Sequence, residues 1–212
     1  AGVGRVVHIG VTRATLDDPL PYYAGKARQE EMLRSAGVSY AVARPTLVFG
    51  QGDILVNNIA WLLRRFPVFP IFGSGQYRVQ PVYIGDLARL CRRLARQDAD
   101  VARDAVGPES FTFEELVREM ARALDTRVRF IHMPPFLGLA LGNVIGWAVG
   151  DVLLTGDELR GLMREKLTSA EEPIGEVRFT DWLQEHADDL GRSYASELKR
   201  HFRWRPPESG EE

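Results

Sequence analysis

The sequence predicts an α/β protein whose N-terminal part contains a strand–helix–strand unit of a parallel sheet. Residues 5–9 (R-V-V-H-I) are an apolar run typical of a buried strand, and Gly10 ends it. Residues 22–36 have the apolar spacing of a helix, with Gly37 placed to end it. Residues 39–44 (S-Y-A-V-A-R) are typical of a second strand. Since this order is that of a βαβ unit, we expect the two strands to lie parallel in one sheet.

The second half of the chain is predicted to be mainly helical. Capping boxes predict helix starts at Thr112 with Glu115 and at Thr155 with Glu158, and Asp86 is placed to cap another helix. The elements expected after the βαβ unit are, in order, a helix at 54–65, an extended segment at 77–84 interrupted by a proline, a helix at 87–96, a short strand ending near 105, a helix at 112–124, a strand at 127–133, and helices at 155–167, 180–190 and 192–204.

Length, charge and cysteine content limit the class of protein. A chain of 212 residues supports one large domain, or one domain with a small lobe. The formal net charge of -2 gives no electrostatic reason to expect a nucleic-acid partner. The single cysteine, Cys91, excludes an intrachain disulfide and favours a reducing, cytoplasmic location. The chain starts without Met and enters a strand at once, which is the pattern expected of a piece of a longer protein.

Tyr22 and Lys26 form the most informative pair in the sequence. They lie four residues apart at the start of the first predicted helix, so they share one face. An ammonium near a phenol favours the phenolate and lowers its pKa. Lowering the pKa of a tyrosine from about 10 to about 7 requires about 4 kcal/mol. A single lysine in high dielectric supplies about 1 kcal/mol, so burial or a second cation must contribute the rest.

Four motifs occur in one order along the chain and together resemble a known family. They are V-V-H-I-G at 6–10, Y-Y-A-G-K at 22–26, A-R-P-T-L-V-F-G at 43–50 and Q-P-V-Y-I-G-D-L-A at 80–88. In this order they resemble the later two-thirds of an extended or atypical short-chain dehydrogenase/reductase, of the NAD-dependent epimerase/dehydratase-like kind. The stretch F-G-Q-G-D-I-L-V-N-N-I-A at 49–60 resembles the branch that contains the nucleotide-binding accessory subunit of respiratory complex I.

The resemblance implies a fold and a division of the chain. Residues 1–110 are expected to form the C-terminal part of a Rossmann-like parallel sheet, an NAD(P)-binding domain without its first half. Residues 111–205 are expected to form a mainly helical substrate lobe, followed by a disordered tail at 206–212. The full-length protein is accordingly expected to bind NAD or NADP and a small-molecule substrate, whereas this part of it is not expected to bind the dinucleotide tightly.

The resemblance also implies residue roles. Tyr22 would exchange a proton with a substrate hydroxyl or carbonyl, and Lys26 would hold the nicotinamide ribose. Ligands in open α/β sheets lie beyond the carboxyl ends of the strands, which agrees with these positions. The residues expected to pass beside the nicotinamide are Arg44, Pro45, Thr46 and Leu47, and those expected to line the substrate crevice are Pro81, Val82 and Tyr83.

The sequence departs from the family pattern in two places. The catalytic serine or threonine of the family follows the first strand, where this chain has Gly10, and Thr12 could substitute only if its loop turns it inward. Loss of that hydroxyl weakens orientation of the substrate and stabilisation of developing charge. The phosphate-binding glycine loop is also missing, because Gly2-x-Gly4 precedes a strand, whereas the fingerprint must follow one and open a helix.

Two classes of function therefore remain. The chain belongs either to an NAD(P)-dependent oxidoreductase or epimerase that is inactive as this fragment, or to a non-catalytic nucleotide-binding assembly subunit. The uncharged run at 133–150 predicts a buried or substrate-facing helix, with peripheral membrane or protein-complex contact as the alternative. The four histidines lack metal-ligand spacing, so no metal site is expected, and no oligomeric state is indicated.

Overall fold

The computed structural model of the protein describes residues 2–138 and 156–196 and has the predicted α/β class. The elements in chain order are β1 (Arg5–Ile9), α1 (Pro21–Ser35), β2 (Ser39–Pro45), β3 (Leu47–Phe49), α2 (Leu55–Arg65), β4 (Val68–Phe72), β5 (Arg78–Val79), β6 (Pro81–Tyr83), α3 (Ile84–Leu94), β7 (Val101–Ala105), β8 (Phe111–Thr112), α4 (Phe113–Ala123), β9 (Arg129–Met133), α5 (Gly156–Met163) and α6 (Phe179–His186). A three-stranded parallel sheet has the strand order β1-β2-β7. Two-stranded sheets pair β3 with β6, β4 with β9 and β5 with β8.

The predicted strand–helix–strand unit is confirmed. β1 and β2 pair in parallel, with Ile9 opposite Ala43. α1 begins with Pro21 in its first turn, where the missing N–H of proline needs no helical partner. The helix ends just before Gly37, whose φ of +67° lies in the left-handed region that a side chain disfavours. The proline and the glycine therefore set the two ends of α1.

Both faces of β2 are covered by helices. On one face Ala41 and Ala43, which have no exposed surface, pack against the leucines of α3. On the other face Arg44 forms an ion pair with Glu30 of α1. Burial on both sides is the usual condition of a parallel sheet, because crossover helices lie on its faces. The carboxyl ends of β1 and β2 are thereby held at one edge of the sheet.

A second hydrophobic cluster joins residues 47–79 to residues between 113 and 190. Phe49 has no exposed surface, and its ring meets those of Phe179 and Trp182 edge-on, with centroids 5.1 and 5.4 Å apart. Such aromatic contacts add stabilisation beyond the burial of area. The cluster takes residues from both sides of position 110, and the predicted division of the chain at that position stays a prediction.

The starts of three helices test the sequence predictions differently. The capping box is confirmed at Thr112, whose hydroxyl accepts from the Glu115 N–H at 3.2 Å. The prediction that Asp86 caps α3 is wrong, because β6 runs directly into a helix that starts at Ile84. Asp86 lies instead in the first turn, 2% exposed, and accepts a hydrogen bond from Arg89. An acidic side chain in the first turn still interacts favourably with the helix dipole. Thr155 lies outside the described residues.

The C-terminal segment is less helical than the sequence predicts. α6 ends at His186, and residues 192–196 are irregular rather than helical. The reason is that the Asn58 amide donates to the Ala195 carbonyl and accepts from its N–H, both at 2.9 Å, so those groups are taken from helical bonding. Residues 197–212, including the predicted tail, and residues 139–150 of the uncharged run lie outside the described part of the chain. Among the described helices, none has the length and hydrophobicity needed to span a bilayer.

Tyr77 carries a buried hydroxyl that has no hydrogen-bond partner among the described residues. The residue is 5% exposed and stacks on Phe113, with ring centroids 5.4 Å apart. A buried, unpaired hydroxyl costs about 1–3 kcal/mol. We therefore expect Tyr77→Phe to raise the free energy of unfolding by about 1 kcal/mol, measured by urea denaturation. The matched change Tyr40→Phe, at a half-buried side chain on β2, should alter it by less than about 0.5 kcal/mol.

Candidate functional site

The tyrosine and lysine singled out in the sequence lie at the start of α1, and the lysine contacts the carboxyl end of β1. Lys26 donates from Nζ to the carbonyl oxygen of Ile9 at 3.2 Å, which places its ammonium at the carboxyl end of β1. Tyr22, one turn earlier on α1, is 55% exposed. Its ring meets that of Tyr23 edge-on, with centroids 5.3 Å apart. A solvent-accessible phenol and a cation thus lie on one side of the helix, next to a strand end.

Tyr23 is the buried member of the tyrosine pair. It is 6% exposed and packs with Val11 and Leu20 in a small hydrophobic cluster. Burial, with smaller contributions from the neighbouring Tyr22 and Asp18, raises the pKa of Tyr23 to about 12. The Lys166 ammonium lies 5.2 Å from the ring centroid, within the range of a cation–π contact. Tyr23 is therefore a protonated core residue that supports the base of the site.

Gly10, at the family's serine position, is packed under a buried ion pair. Glu30 of α1 is 2% exposed and accepts hydrogen bonds from the Arg44 guanidinium at 2.6, 3.0 and 3.1 Å. A Cβ built on Gly10 would lie 2.5 Å from Glu30 Oε1 and 3.3 Å from a methyl of Val42. Hydrogen bonding to Glu30 raises the pKa of Arg44. The space that a serine side chain needs is therefore occupied by a carboxylate held in place by Arg44.

Thr12 is turned inward, but its hydroxyl is already engaged. The residue has no exposed surface, and Oγ1 donates to the carbonyl oxygen of Lys166 at 2.7 Å. Its backbone N–H donates to the carbonyl of Pro45 at 3.3 Å. A hydroxyl has one proton to donate, and Thr12 gives it to the backbone. Thr12 thus ties the loop after β1 to the segment that follows α5.

A buried ion pair completes this connection. The Lys166 ammonium contacts Asp18 Oδ2 at 2.5 Å and donates to the carbonyl of Arg13 at 2.9 Å. Burial, which raises the pKa of Asp18, is outweighed by hydrogen bonds from Lys166 and from the Leu20 N–H, so this pKa lies below its usual value. Asp18 and Lys166 are 148 residues apart in the chain, so no local sequence pattern could have revealed the pair.

Glu30 also escaped the sequence prediction, although a weak signal for it was present. It lies four residues after Lys26 on the same helix, and such spacing places two side chains on one face. Nε2 of His8, on β1, is buried and has no hydrogen-bond partner among the described residues. The pKa of His8 is lowered by burial and by Lys26, with Glu30 acting in the opposite direction. The carboxylate therefore affects several groups around the end of β1.

The residues predicted to pass beside a nicotinamide lie where β2 continues into β3. Pro45, Thr46 and Leu47 are buried there, and Arg44 is half-buried. Arg44 turns its side chain toward Glu30. Thr46 donates from Oγ1 to the carbonyl of Gln80 at 2.5 Å and from its N–H to the carbonyl of Ala105 at 3.2 Å. Pro45 has no N–H, and its carbonyl accepts from Thr12. Most polar groups of this segment are thus used within the protein.

The residues predicted to line the substrate crevice lie on the neighbouring strand. β3 pairs in parallel with β6, which places Leu47 opposite Pro81 and Phe49 opposite Tyr83. Leu47, Pro81 and Val82 are buried, and Tyr83 is half-buried. The structure thus brings the predicted nicotinamide and substrate residues onto adjacent strands, with Tyr22 and Lys26 at the end of β1.

These residues suit one end of a nicotinamide dinucleotide and not the other. Lys26 supplies a cationic donor and Tyr22 a phenol, which are groups that can bond ribose hydroxyls. The pyrophosphate end needs a glycine turn that follows a strand and opens a helix. Gly10 follows β1, but α1 starts only at Pro21. Gly50 and Gly52 lie between β3 and α2, but Leu55 stands where the fingerprint needs its third glycine. No group of three or more His, Cys, Asp or Glu side chains in the described residues is placed to hold a metal ion.

Curated proteins similar to this chain fall into two kinds. The mitochondrial NADH dehydrogenase [ubiquinone] 1 alpha subcomplex subunit 9 of Arabidopsis thaliana is 24% identical over 136 residues, which cover 63% of this chain and 34% of that protein. A ceramide reductase of Caulobacter vibrioides is 28% identical over 120 residues, covering 53% of this chain and 36% of the enzyme. The chain thus spans about a third of the length of these relatives. No family model matches it.

Solved structures agree on the fold. The NADPH-dependent quinone oxidoreductase of Escherichia coli, complexed with NADPH, gives a TM-score of 0.67 at 19% identity, covering 89% of this chain and 66% of that one. A dTDP-glucose 4,6-dehydratase of Streptomyces venezuelae with bound NAD gives 0.58 at 21% identity, covering 88% and 59%. Likeness at this level of identity establishes the Rossmann-type fold. Together with the curated relatives, it confirms the resemblance to atypical short-chain dehydrogenase/reductases and their complex I branch.

Gly10→Ser tests the packing under the ion pair. We expect it to lower the free energy of unfolding by about 1–3 kcal/mol, since the new Cβ displaces the Glu30 carboxylate from Arg44. Gly4→Ser is the control, because a Cβ at Gly4 meets nothing within 4 Å. In a Glu30→Ala background the cost of Gly10→Ser should shrink, as measured by a double-mutant cycle in urea. Equal costs in both backgrounds contradict this account.

The raised pKa of Tyr23 predicts a loss of stability at alkaline pH. Tyrosines of the unfolded chain have a pKa near 10.0, whereas burial raises the pKa of Tyr23 in the folded protein to about 12. As pH rises through this window, the unfolded chain loses its proton first, and stability falls by about 1 kcal/mol between about pH 9 and 11. Denaturation at both pH values should give a smaller loss for Tyr23→Phe than for the native chain. Tyr40→Phe, at a half-buried ring on β2, should leave the loss unchanged.

Proposed function

We propose that this short-chain dehydrogenase/reductase-like chain forms the nicotinamide-facing part of a protein that binds NAD or NADP without efficient hydride transfer. The observation that carries the proposal is the packing of Gly10 beneath the Glu30–Arg44 ion pair, which leaves no space for a catalytic hydroxyl. Thr12, the nearest hydroxyl in sequence, gives its proton to a backbone carbonyl. Residues that would bind the cofactor are thus present, whereas the hydroxyl that would orient a substrate is missing.

In this proposal Lys26 and Tyr22 hold the cofactor. The Lys26 ammonium at the end of β1 donates to the nicotinamide ribose, and the exposed Tyr22 phenol bonds to it from the same helix. The carbonyl of Pro45 retains a second lone pair for the carboxamide. A bound nicotinamide cofactor supplies hydride chemistry and, when oxidised, a positive charge near Tyr22. The G-x-G-x-x-G fingerprint of a phosphate-binding loop does not occur in the 212 residues.

The second candidate is a working oxidoreductase. The similarity to a ceramide reductase and the accessible Tyr22 phenol beside Lys26 favour it. In that case Tyr22 exchanges a proton with the substrate, and a hydroxyl from elsewhere in the full-length protein replaces the missing serine. Loss of one such donor typically reduces turnover by two to three orders of magnitude. The two candidates therefore differ in the dependence of turnover on Tyr22.

The similarity to mitochondrial NADH dehydrogenase subunits bears on partners and location. We propose contact with a protein complex or a membrane surface through residues 133–150, of which 133–138 are described and include the exposed Phe136 and Leu137. A reducing compartment, predicted from the single Cys91, is consistent with either a cytoplasmic or a mitochondrial setting.

Cofactor binding and turnover in the full-length protein test the proposal. Lys26→Met should weaken NADH or NADPH binding about tenfold or more, since a hydrogen bond to a charged group contributes about 1.5–3 kcal/mol. Arg28→Met, an exposed cation on the same helix, is the control and should leave binding unchanged. Binding is measured by the fluorescence of the reduced nicotinamide.

Hydride transfer then separates the two candidates. The proposal expects turnover with carbonyl substrates at background level, and equal in native protein and Tyr22→Phe. A loss of turnover above about a hundredfold in Tyr22→Phe, with binding retained, establishes the oxidoreductase instead. If neither NADH nor NADPH binds the folded protein, both candidates are wrong.

A further inference from the structure

An apolar cavity is lined mainly by residues from 47 to 79, with further residues between 113 and 162, and neither Tyr22 nor Lys26 lines it. Its volume is about 300 Å³, at the lower end of the range of ligand pockets. Helices α2 and α4 and strands β4 and β9 supply most of its wall. Representative lining residues are Leu55, Ile59, Leu62, Val68, Phe72 and Leu116.

The lining excludes polar ligands. Asn58 is the one polar side chain among the described residues that line the cavity. Its Nδ2 and Oδ1 atoms are both engaged with the backbone of Ala195, each at 2.9 Å. A sugar, a nucleotide or a cluster of waters would find no hydrogen-bond partners in such a space, and burying their polar groups unpaired is unfavourable. Only a hydrocarbon group can occupy it at a favourable free energy.

The mouth of the cavity is also apolar. Three lining residues, Leu55, Phe66 and Val68, are 42%, 41% and 39% exposed, so the wall continues onto the surface. Phe136 and Leu137, between the lining residues Met133 and Gly138, are 68% and 49% exposed. Exposed apolar residues that form one contiguous patch commonly mark a ligand or lipid contact.

A cation lies beside this mouth. β4 and β9 pair in parallel with Val68 opposite Arg129 and Phe72 opposite Met133. Since directly opposed residues of paired strands point to the same side, Arg129 lies on the face that carries Val68, Phe72 and Met133. Arg129 is exposed. An anionic group at the mouth would therefore be attracted, while an apolar chain extends inward.

We propose that this cavity binds a single hydrocarbon chain of an amphiphile that has an anionic head group, with the chain between α2, α4 and β4 and the head beside Arg129. The proposal goes beyond cofactor binding and does not depend on it. A free fatty acid and a membrane phospholipid share this chemistry, and they are separated by the test below.

Calorimetric titration of the intact protein with fatty acids tests the proposal, in the absence of nucleotide. Affinity should rise about fourfold per methylene from hexanoate through octanoate and decanoate, and level off once the cavity is full. Leu55→Trp, which places an indole at the mouth, should weaken decanoate binding at least tenfold. Leu16→Trp is the matched control, because Leu16 is 54% exposed and does not line the cavity.

The head-group contact has its own comparison. Arg129→Gln should weaken decanoate binding several-fold and leave 1-decanol binding unchanged, whereas Arg28→Gln on α1 should affect neither. Co-sedimentation with phosphatidylglycerol vesicles that is lost in Leu55→Trp assigns the chain to a membrane lipid. Decanoate binding without co-sedimentation assigns it to a soluble amphiphile.

Three results overturn the proposal. They are no binding of any fatty acid to a folded protein, affinity independent of chain length, and Leu55→Trp binding that matches the Leu16→Trp control. Val68→Trp serves as the second blocking variant if Leu55→Trp does not fold, as judged by its circular dichroism and thermal melt. Because no nucleotide is present in the titration, these outcomes do not depend on whether the protein binds NADH or NADPH. The test of cofactor binding likewise does not depend on whether the cavity binds a fatty acid.

Discussion

The carboxylate of Glu30 must be neutralised because it is almost fully buried between a helix and a sheet. The positive charge of Arg44 balances it through three close hydrogen bonds, and this ion pair fixes α1 to β2. Removing one partner of such a pair leaves a buried charge uncompensated and typically costs about 3–5 kcal/mol. The same interaction orients the helix that carries Tyr22 and Lys26, and it occupies the space next to Gly10. One ion pair therefore positions the helix that carries Tyr22 and Lys26 and leaves no space for a hydroxyl-bearing side chain at position 10.

A second buried pair relates the two parts of the molecule. Lys166, beyond α5, reaches back to Asp18 and to the loop after β1, while the Thr12 hydroxyl meets its carbonyl. This arrangement covers Tyr23 and leaves Tyr22 exposed. The Lys166 ammonium lies near the Tyr23 ring, and its charge is balanced by Asp18. Both ion pairs hold in place the residues around the ends of β1 and β2, which supports the proposed cofactor-holding role over activation of the Tyr22 phenol.

The polar edge of the sheet and the apolar cavity divide the chemistry of the chain. Charged and hydroxyl groups gather where β1 and β2 end, whereas the space between α2, α4 and β4 has a hydrocarbon wall. Leu47 connects them, because it follows Thr46 in sequence and also lines the cavity. The two proposals thus assign a nucleotide to the polar edge of the sheet and a hydrocarbon chain to the cavity, and each is tested without the other.

Local patterns determined the strand–helix–strand unit, the capping box at Thr112 and the i, i+4 placement of Tyr22 and Lys26, because each depends on residues within a few positions of one another. The sequence order of the motifs was likewise enough to indicate the family. The occupant of the space at Gly10, the engagement of Thr12 and the choice of Tyr23 as the buried ring were decided by tertiary structure. Those contacts join residues between 14 and 154 positions apart, so that packing and charge neutralisation set them, not any local propensity.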